Sequence, residues 1–442
     1  MKKIIFTIAI TSMLIFITCD FNPVALPESQ DSSLTFNTGE TKWVQLNPSW
    51  EGFNKPQDIV IAPDKYIYIS DKGNNRIVVL NKSGQEIRQD NFGNDFTALY
   101  DLNAINSHQV EPMGLAIDSK LSLFITDSSN MIYCWNQYLN YLKNTSESPD
   151  SIAEYFVYKN VETSELDTVY DPALTENYNN YDYRVEDIKF SALEDDSIYA
   201  PHVFYENEAG ANYVAVTAAP DSNCIYAAST SDQRIHKINM VRSDYIKFDN
   251  ITIWRYRGVA DGYIATNGTG AGTVNDPTGM TIDQNSAVYY TQTGENFGFH
   301  KIRQNSDNVW TSMFSLNEDE IMDLDRFDAP QDVTVDAEGN IYVLNSGDNE
   351  IQQFDFSGQF VRKAGLREET IDTTIIDTVY SESDTSFVEK DTIVTKYHND
   401  ILNQPQGVFI DDGVLYIANT GNNSIVRFQL STDLDVNLEE DQ

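Results

Sequence analysis

Pro56-Gln57-Asp58-Ile59-Val60-Ile61 leads into Tyr66-Ile67-Tyr68-Ile69-Ser70-Asp71, then a Gly73-Asn74-Asn75 turn, then Arg76-Ile77-Val78-Val79-Leu80. Short apolar-polar alternations broken by Gly, Asn and Asp turns read as an antiparallel meander and not as helix. The same grammar returns from Pro112, from about Val214, and from Pro277, Pro330 and Pro405. Sliding the copies over one another puts Tyr68, Phe124, Tyr226, Tyr289, Tyr342 and Tyr416 in one column of the second strand. Repeats of this kind predict an all-β, six-bladed β-propeller of four-stranded blades, because a single twisted blade cannot bury both faces alone. Fourth strands are expected at Glu86 to Arg88, Ile251 to Tyr256, Val309 to Phe314 and Gln359 to Lys363. The last copy lacks one after Leu430, so Trp43-Val44-Gln45-Leu46 is expected to close the ring there.

The spacing is uneven, since a blade of this kind takes about 40 to 50 residues. Long gaps mark insertions at about 143–205 and 366–402. Both contain Asp-Thr-Val-Tyr, at 167–170 and 377–380, and both read as projecting hairpins rich in Thr and Tyr. The segment Asp187 to Ala200 imitates the start of a blade, which leaves seven blades open.

These residues resemble the NHL repeat family, whose six-bladed propellers carry a Pro-x-Gly or Pro-x-Asp opening, an Ile-Tyr-Val-Asp strand and an Asp-x-x-Asn-x-Arg turn. Asp71-Lys72-Gly73-Asn74-Asn75-Arg76 matches that turn, and the resemblance runs from about residue 42 to 430. Asn345 to Glu350 and Asn419 to Ser424 keep the Gly and Asn but lose the Asp and the Arg. The turn itself needs residues that tolerate left-handed backbone, whereas the Arg is a supporting contact.

Ahead of the repeats, Lys2 and Lys3 precede an apolar stretch from Ile4 to Thr18 that stops at Cys19. That stretch is too short for a bilayer span, which needs about 20 residues. It resembles a bacterial lipoprotein signal over 1–18 with Cys19 as the lipidated residue, although Phe16-Ile17-Thr18 departs from the usual residues before the cysteine. Ordinary secretion with an incidental cysteine is the alternative. Residues 19–41 read as a flexible tether, 42–430 as the propeller and 431–442 as an acidic tail. The expected location is the bacterial cell envelope, at its periplasmic or cell-surface face.

The 442 residues carry 68 Asp and Glu against 29 Lys and Arg, a formal net charge of -39. So negative a chain repels phosphate backbones, which argues against a nucleic-acid partner and confines membrane contact to the lipid anchor. Cys134 and Cys224 fall in strands of neighbouring repeats and read as buried small hydrophobes. The five histidines stand singly at 108, 202, 236, 300 and 398, without zinc-site spacing.

Function has to be argued from sites, since propellers serve as enzymes and as scaffolds. Related lactonases, amidating lyases and strictosidine-synthase-like enzymes place metal ligands or a Glu on innermost strands, the lactonases just after the opening Pro. Here that column reads Gln57, Met113, Ala215, Thr278, Gln331 and Gln406, with no carboxylate and no histidine. Asp58 and Asp332 lie one residue later; they read as channel-mouth ligand groups or as carboxylates that accept backbone N–H bonds. No cofactor is expected; calcium at Glu194-Asp195-Asp196 or around Glu318 to Asp328 competes with a plain solvated acidic loop. Tyr178, Tyr181 and Tyr183 add aromatic contact area, weighed against local hairpin packing. The reading is a non-enzymatic binding module for an envelope or extracellular protein or carbohydrate. A metal-dependent hydrolase or lyase of the lactonase type is the alternative.

Overall fold

The computed structural model describes residues 41–431 apart from 104, 106–107, 145–148, 171–182, 193–196, 249–250, 295, 317 and 382–383. The signal, the tether to residue 40, Cys19, the tail from 432, Tyr178, Tyr181 and the Glu194-Asp195-Asp196 cluster lie outside the described residues. Among the described residues, no helix is long and apolar enough to cross a membrane.

Among the described residues the first strand, β1 (Trp43–Trp50), precedes the repeats. The first repeat gives β2 (Pro56–Ile61), β3 (Ile67–Asp71) and β4 (Arg76–Leu80), a three-stranded antiparallel sheet. Its expected fourth strand is a correction: Glu86 to Arg88 forms only a bridge from Leu80 to Glu86 and a 2.8 Å bond from the Ile87 N–H to the Val79 carbonyl. The loop beyond it buries Phe96, Leu99, Leu102 and Val110, which cover that flank in place of a strand.

The second repeat gives β5 (Leu115–Ile117), β6 (Ser122–Thr126) and β7 (Met131–Asn136). Helix α1 (Gln137–Asn144) and strands β8 (Pro149–Asn160), β9 (Leu166–Val169) and β10 (Tyr183–Ala192) follow, before β11 (His202–Glu206) returns to pair with β7, setting His202 opposite Cys134. The insertion therefore sits between third and fourth strands, and 202–205 belong to the blade. Segment 187–192 pairs with β8 inside the insertion and starts no seventh blade.

The third repeat gives β12 (Tyr213–Ala218), β13 (Cys224–Ser229), β14 (Arg234–Phe248) and β15 (Thr252–Ala265). Strands β14 and β15 run on as one long hairpin, and Ile246 of β14 pairs with Ile152 of β8. The result is a seven-stranded sheet. Residues Thr252 to Tyr256, expected as a blade strand, lie in the outer part of that hairpin opposite Arg242 to Lys247.

The fourth repeat gives β16 (Pro277–Ile282), β17 (Val288–Gln292), β18 (Phe299–Gln304) and β19 (Trp310–Ser312), and the fifth β20 (Pro330–Val335), β21 (Ile341–Asn345), β22 (Glu350–Phe354) and β23 (Phe360–Ala364). The second insertion is a two-stranded hairpin of β24 (Arg367–Ser381) and β25 (Asp384–His398). The sixth repeat gives β26 (Gly407–Asp411), β27 (Val414–Asn419) and β28 (Ser424–Leu430), and β1 pairs along β28 with Trp43 opposite Leu430.

The chain is thus an all-β propeller of small antiparallel sheets set in a ring. Five sheets of three or four strands stand alone and the remaining repeat is merged into the seven-stranded sheet, so six like four-stranded blades are not what forms. Strands β2, β5, β12, β16, β20 and β26 stand side by side in that order, and β26 also touches β2.

The column of second-strand aromatics holds: Tyr68, Phe124, Tyr226, Tyr289, Tyr342 and Tyr416 are all buried. The core lies between neighbouring sheets, as where Ile59 and Ile69 of the first pack with Tyr416 and Ile425 of the sixth. Cys134 and Cys224 are free, buried and in separate clusters.

Candidate binding site in the channel

Cross-strand register fixes which residues share a position. Val60, Ala116, Thr217, Thr281, Thr334 and Phe409 face the six aromatics. Counting back two residues gives Asp58, Gly114, Ala215, Gly279, Asp332 and Gly407, so Val214, not Ala215, belongs with the glutamines. Tyr213 stands where the other copies have Pro, which hides this register in the sequence.

Three glycines alternate around that column with Asp58, Ala215 and Asp332, for a steric reason. A Cβ on Gly407 would stand 2.5 Å from the Gln57 carbonyl oxygen, one on Gly114 would stand 2.8 Å from that of Val214, and one on Gly279 would overlap Asp332. In the gaps so left the acids reach across to the next sheet. Asp58 Oδ2 accepts the Leu115 N–H at 2.7 Å, and Asp332 Oδ2 accepts the Val408 N–H at 2.8 Å. Backbone acceptance between sheets is therefore one role of both carboxyls. Facing the channel is the other.

The rim is held by a repeated backbone device. Lys55, Asp276, Ala329 and Gln404, each just before the opening Pro, are in the left-handed region with φ of 53°, 53°, 53° and 46°. Lys55 N–H donates to Asn423 Oδ1 and Gln404 N–H to Asn349 Oδ1, each at 2.8 Å, while Asp276 N–H donates to Gln233 Oε1. Those acceptors are left-handed too, with φ of 53°, 52° and 56°. Strained backbone recurring at one place persists because the neighbouring sheets hold it.

Inside the rim is a cavity of about 270 Å³ lined by Gln57, Asp58, Gln331, Asp332 and Gln406, together with Thr278 and Asp276. Five predicted residues therefore meet in one place; of the remaining candidates, Tyr183 opens β10 in the insertion. The glutamine side chains make only long contacts to nearby carbonyls, at 3.5 Å from Gln57, 3.4 Å from Gln331 and 3.3 Å from Gln406. Thr278 stands in the same sequence column as the glutamines, and the cavity adds it to the candidate groups. Asp276 carries no such signal, because it sits in the variable place before Pro277.

Asp58 and Asp332 also line a second, larger cavity of about 450 Å³ along the channel, and so mark where the two spaces meet. Burial pushes the Asp58 carboxyl up to about 7, against the lowering effect of its bonds from Leu115 and Ile59. Burial, and then the charge of Asp58, push Asp332 well above the ordinary carboxylate range. Two such acids do not readily both ionise. Among the described residues, no group of three His, Cys, Asp or Glu stands together as a metal cage.

Residues 327–354 match the NHL repeat family. This is the fifth copy, with Asp332, and not the copy from Pro56 whose turn fits that family's pattern best. No curated protein matches the chain. Among solved structures it is similar to a gluconolactonase from Xanthomonas campestris at 10% identity, covering 89% of this chain and 90% of that one with a TM-score of 0.46. A protein of unknown function from Bacteroides thetaiotaomicron is similar at 12% identity, with 88% and 76% covered and a TM-score of 0.45. A streptogramin B lyase is similar at 13% identity, with 88% and 98% covered and a TM-score of 0.39. Residues 327–354 thus carry an NHL repeat within a chain folded as a ring of small antiparallel sheets.

Proposed function

We propose that the protein is an exported, lipid-anchored binding module of the bacterial cell envelope that takes its ligand at the channel mouth and performs no chemistry on it. The meeting of Gln57, Gln331 and Gln406 over Asp58 and Asp332 in one cavity carries this reading. Amide side chains offer both donors and acceptors to a polar ligand, and a preformed concave site with a few placed polar groups is what small-molecule recognition uses. In this reading β12 to β15 serve as a sixth blade and β1 closes the ring on β28. Cys19 carries the lipid, and the partner is a carbohydrate or protein of the envelope or extracellular space.

The alternative, a metal-dependent hydrolase or lyase of the lactonase type, draws on the same two carboxyls, since perturbed acids in a cleft are catalytic candidates. It needs a converging ligand set: glutamine carbonyls suit calcium but not zinc, and among the described residues no third carboxylate or imidazole groups with Asp58 and Asp332 as a metal cage.

Thermal melts with a panel of monosaccharides and short peptides test the binding reading. One class is expected to raise the midpoint of the wild type and not of a Q57A/Q331A/Q406A variant. A panel that moves neither protein overturns the channel as the binding site.

A further inference from the structure

The two connected cavities share one charge character. Among the described residues, the rim cavity is lined by Asp58, Asp276 and Asp332 with no Lys, Arg or His. The inner cavity adds Asp118, Asp283 and Asp411, and its one basic lining residue, Lys65, is spent on Asp411 at 2.5 Å. Such a lining of acids disfavours an anionic ligand. A cation gains from the same field.

At the junction burial pushes both carboxyls up, and the charge of Asp58 adds to this at Asp332. A positive group between them favours the ionised forms, and each carboxylate oxygen bonded to one backbone N–H keeps a second acceptor site. A hard metal ion needs six to eight oxygens for calcium, or near-ideal octahedral geometry for magnesium. A primary ammonium has only three donors, a number that two carboxyls and one glutamine carbonyl of the same cavity match. Above the acids, the glutamines and Thr278 are neutral hydrogen-bonding groups suited to hydroxyls. The volume, about 270 Å³, lies just below the usual range of ligand sites, about 300 to 1,000 Å³, and suits one ring and not a polymer.

We propose that the channel binds a hydroxylated primary amine of the amino-sugar class, its ammonium between Asp58 and Asp332 and its hydroxyls on Gln57, Gln331 and Gln406. This rests on the channel being a binding site and adds the charge of the ligand.

Titration calorimetry of the full chain at pH 6.5, with glucosamine and with N-acetylglucosamine, tests it. Acetylation removes the positive charge and leaves the ring hydroxyls. Glucosamine is expected to bind at least tenfold more tightly. D332N and D58N, in which an Asn oxygen still accepts the bond from Val408 or Leu115, are expected to erase that preference while melting as folded proteins. Equal binding of the two sugars, lost in Q57A/Q331A/Q406A, overturns the amine and leaves the channel reading standing. Binding of neither sugar overturns the amine too, and the wider panel then decides the channel reading separately. Calcium displacing glucosamine from the same acids at equal concentration assigns the junction to a metal and also overturns the proposal.

Discussion

The Tyr342 hydroxyl donates to Asp336 Oδ2 at 2.9 Å, and Tyr289 repeats the bond to Asp283 Oδ2 at 3.0 Å one repeat earlier. In the second repeat the same position is Phe124, and there Asp118 Oδ2 is buried without a hydrogen-bond partner among the described residues. Asp118 Oδ1 still accepts the Lys120 and Ser122 N–H groups, so the turn forms and half the carboxylate is left over. Burial accordingly pushes the Asp118 carboxyl up.

Phe124→Tyr is expected to supply the missing donor and stabilise the protein by about 1 kcal/mol, the net worth of a buried hydrogen bond. The edge contact of Phe124 with Phe204, at 5.0 Å between centroids, is kept by the larger ring. Denaturant melts of the two proteins check it. Tyr342→Phe costs less than an orphaned carboxylate, because Asp336 Oδ2 retains Asn340 Nδ2 at 2.8 Å.

Glycine in the channel column is required by the neighbouring sheet and not by backbone angle. Gly407→Ala forces a Cβ onto the Gln57 carbonyl and the Asp58 Cα, at 2.5 and 2.7 Å. Overpacking of this kind costs about 1 to 3 kcal/mol or more. Gly52→Ala, where no atom lies within 4 Å, has only the strain of its positive φ to bear. Paired melts are expected to show the larger loss at Gly407.

The raised acid at the junction gives stability a sign with pH. Asp58 holds its proton in the folded chain up to about 7 and in the unfolded chain only to about the ordinary carboxylate value of 3.9. The native state therefore binds more protons between those values, and stability falls as pH rises through that window. Above pH 7 this contribution is fully lost. Asp58→Asn removes it, so stability of the variant is expected to fall less between pH 4 and 8. Urea midpoints across that range check the difference, which is on the order of a few kcal/mol.

Trp43 holds β1 against the fifth and sixth repeats. Its indole N–H donates to Gln353 Oε1 at 3.2 Å, and its ring meets Tyr342 edge-on at 5.9 Å. Trp43→Ala is expected to cost about 3 to 5 kcal/mol, as removal of a buried Trp does. If β1 also closes the ring, hydrogen exchange of Ser424 to Leu430 is expected to speed up with it.

Local grammar was legible wherever one repeat determined its own structure. The aromatic column, the turn at Asp71 and the hairpin after Ala364 follow from alternation and turn residues alone. Asp71 shows why: it is fully buried, accepts the Asn54 N–H at 2.6 Å and holds Arg76 at 2.7 Å. Asn419 takes over the first of these bonds, from the Asn403 N–H at 2.7 Å, which is why a copy without the Asp still folds.

Long-range choices were not legible. The return of β11 to β7 across an insertion, and the joining of β14 to β8, depend on edges that meet only in space. Helix α1 did leave a signal that strand periodicity masked, since Asn136 Oδ1 caps the Leu139 N–H at 2.8 Å and Leu139 and Leu142 bury one face. At the site, the glutamines and both acids could be aligned by copy. That each acid bonds the next sheet's backbone could not, because the donor lies some 57 or 76 residues away.

The central claim, a channel that binds without metal chemistry, is tested most directly by stripping the protein with chelator and titrating calcium and zinc while following the melt and lactone hydrolysis together. Tight binding to the folded state must appear, since a hundredfold excess over the dissociation constant stabilises by about 2.7 kcal/mol. The account predicts no rise beyond a general salt effect and no turnover. A saturable rise with one ion, accompanied by hydrolysis that D58N or D332N abolishes, would contradict it.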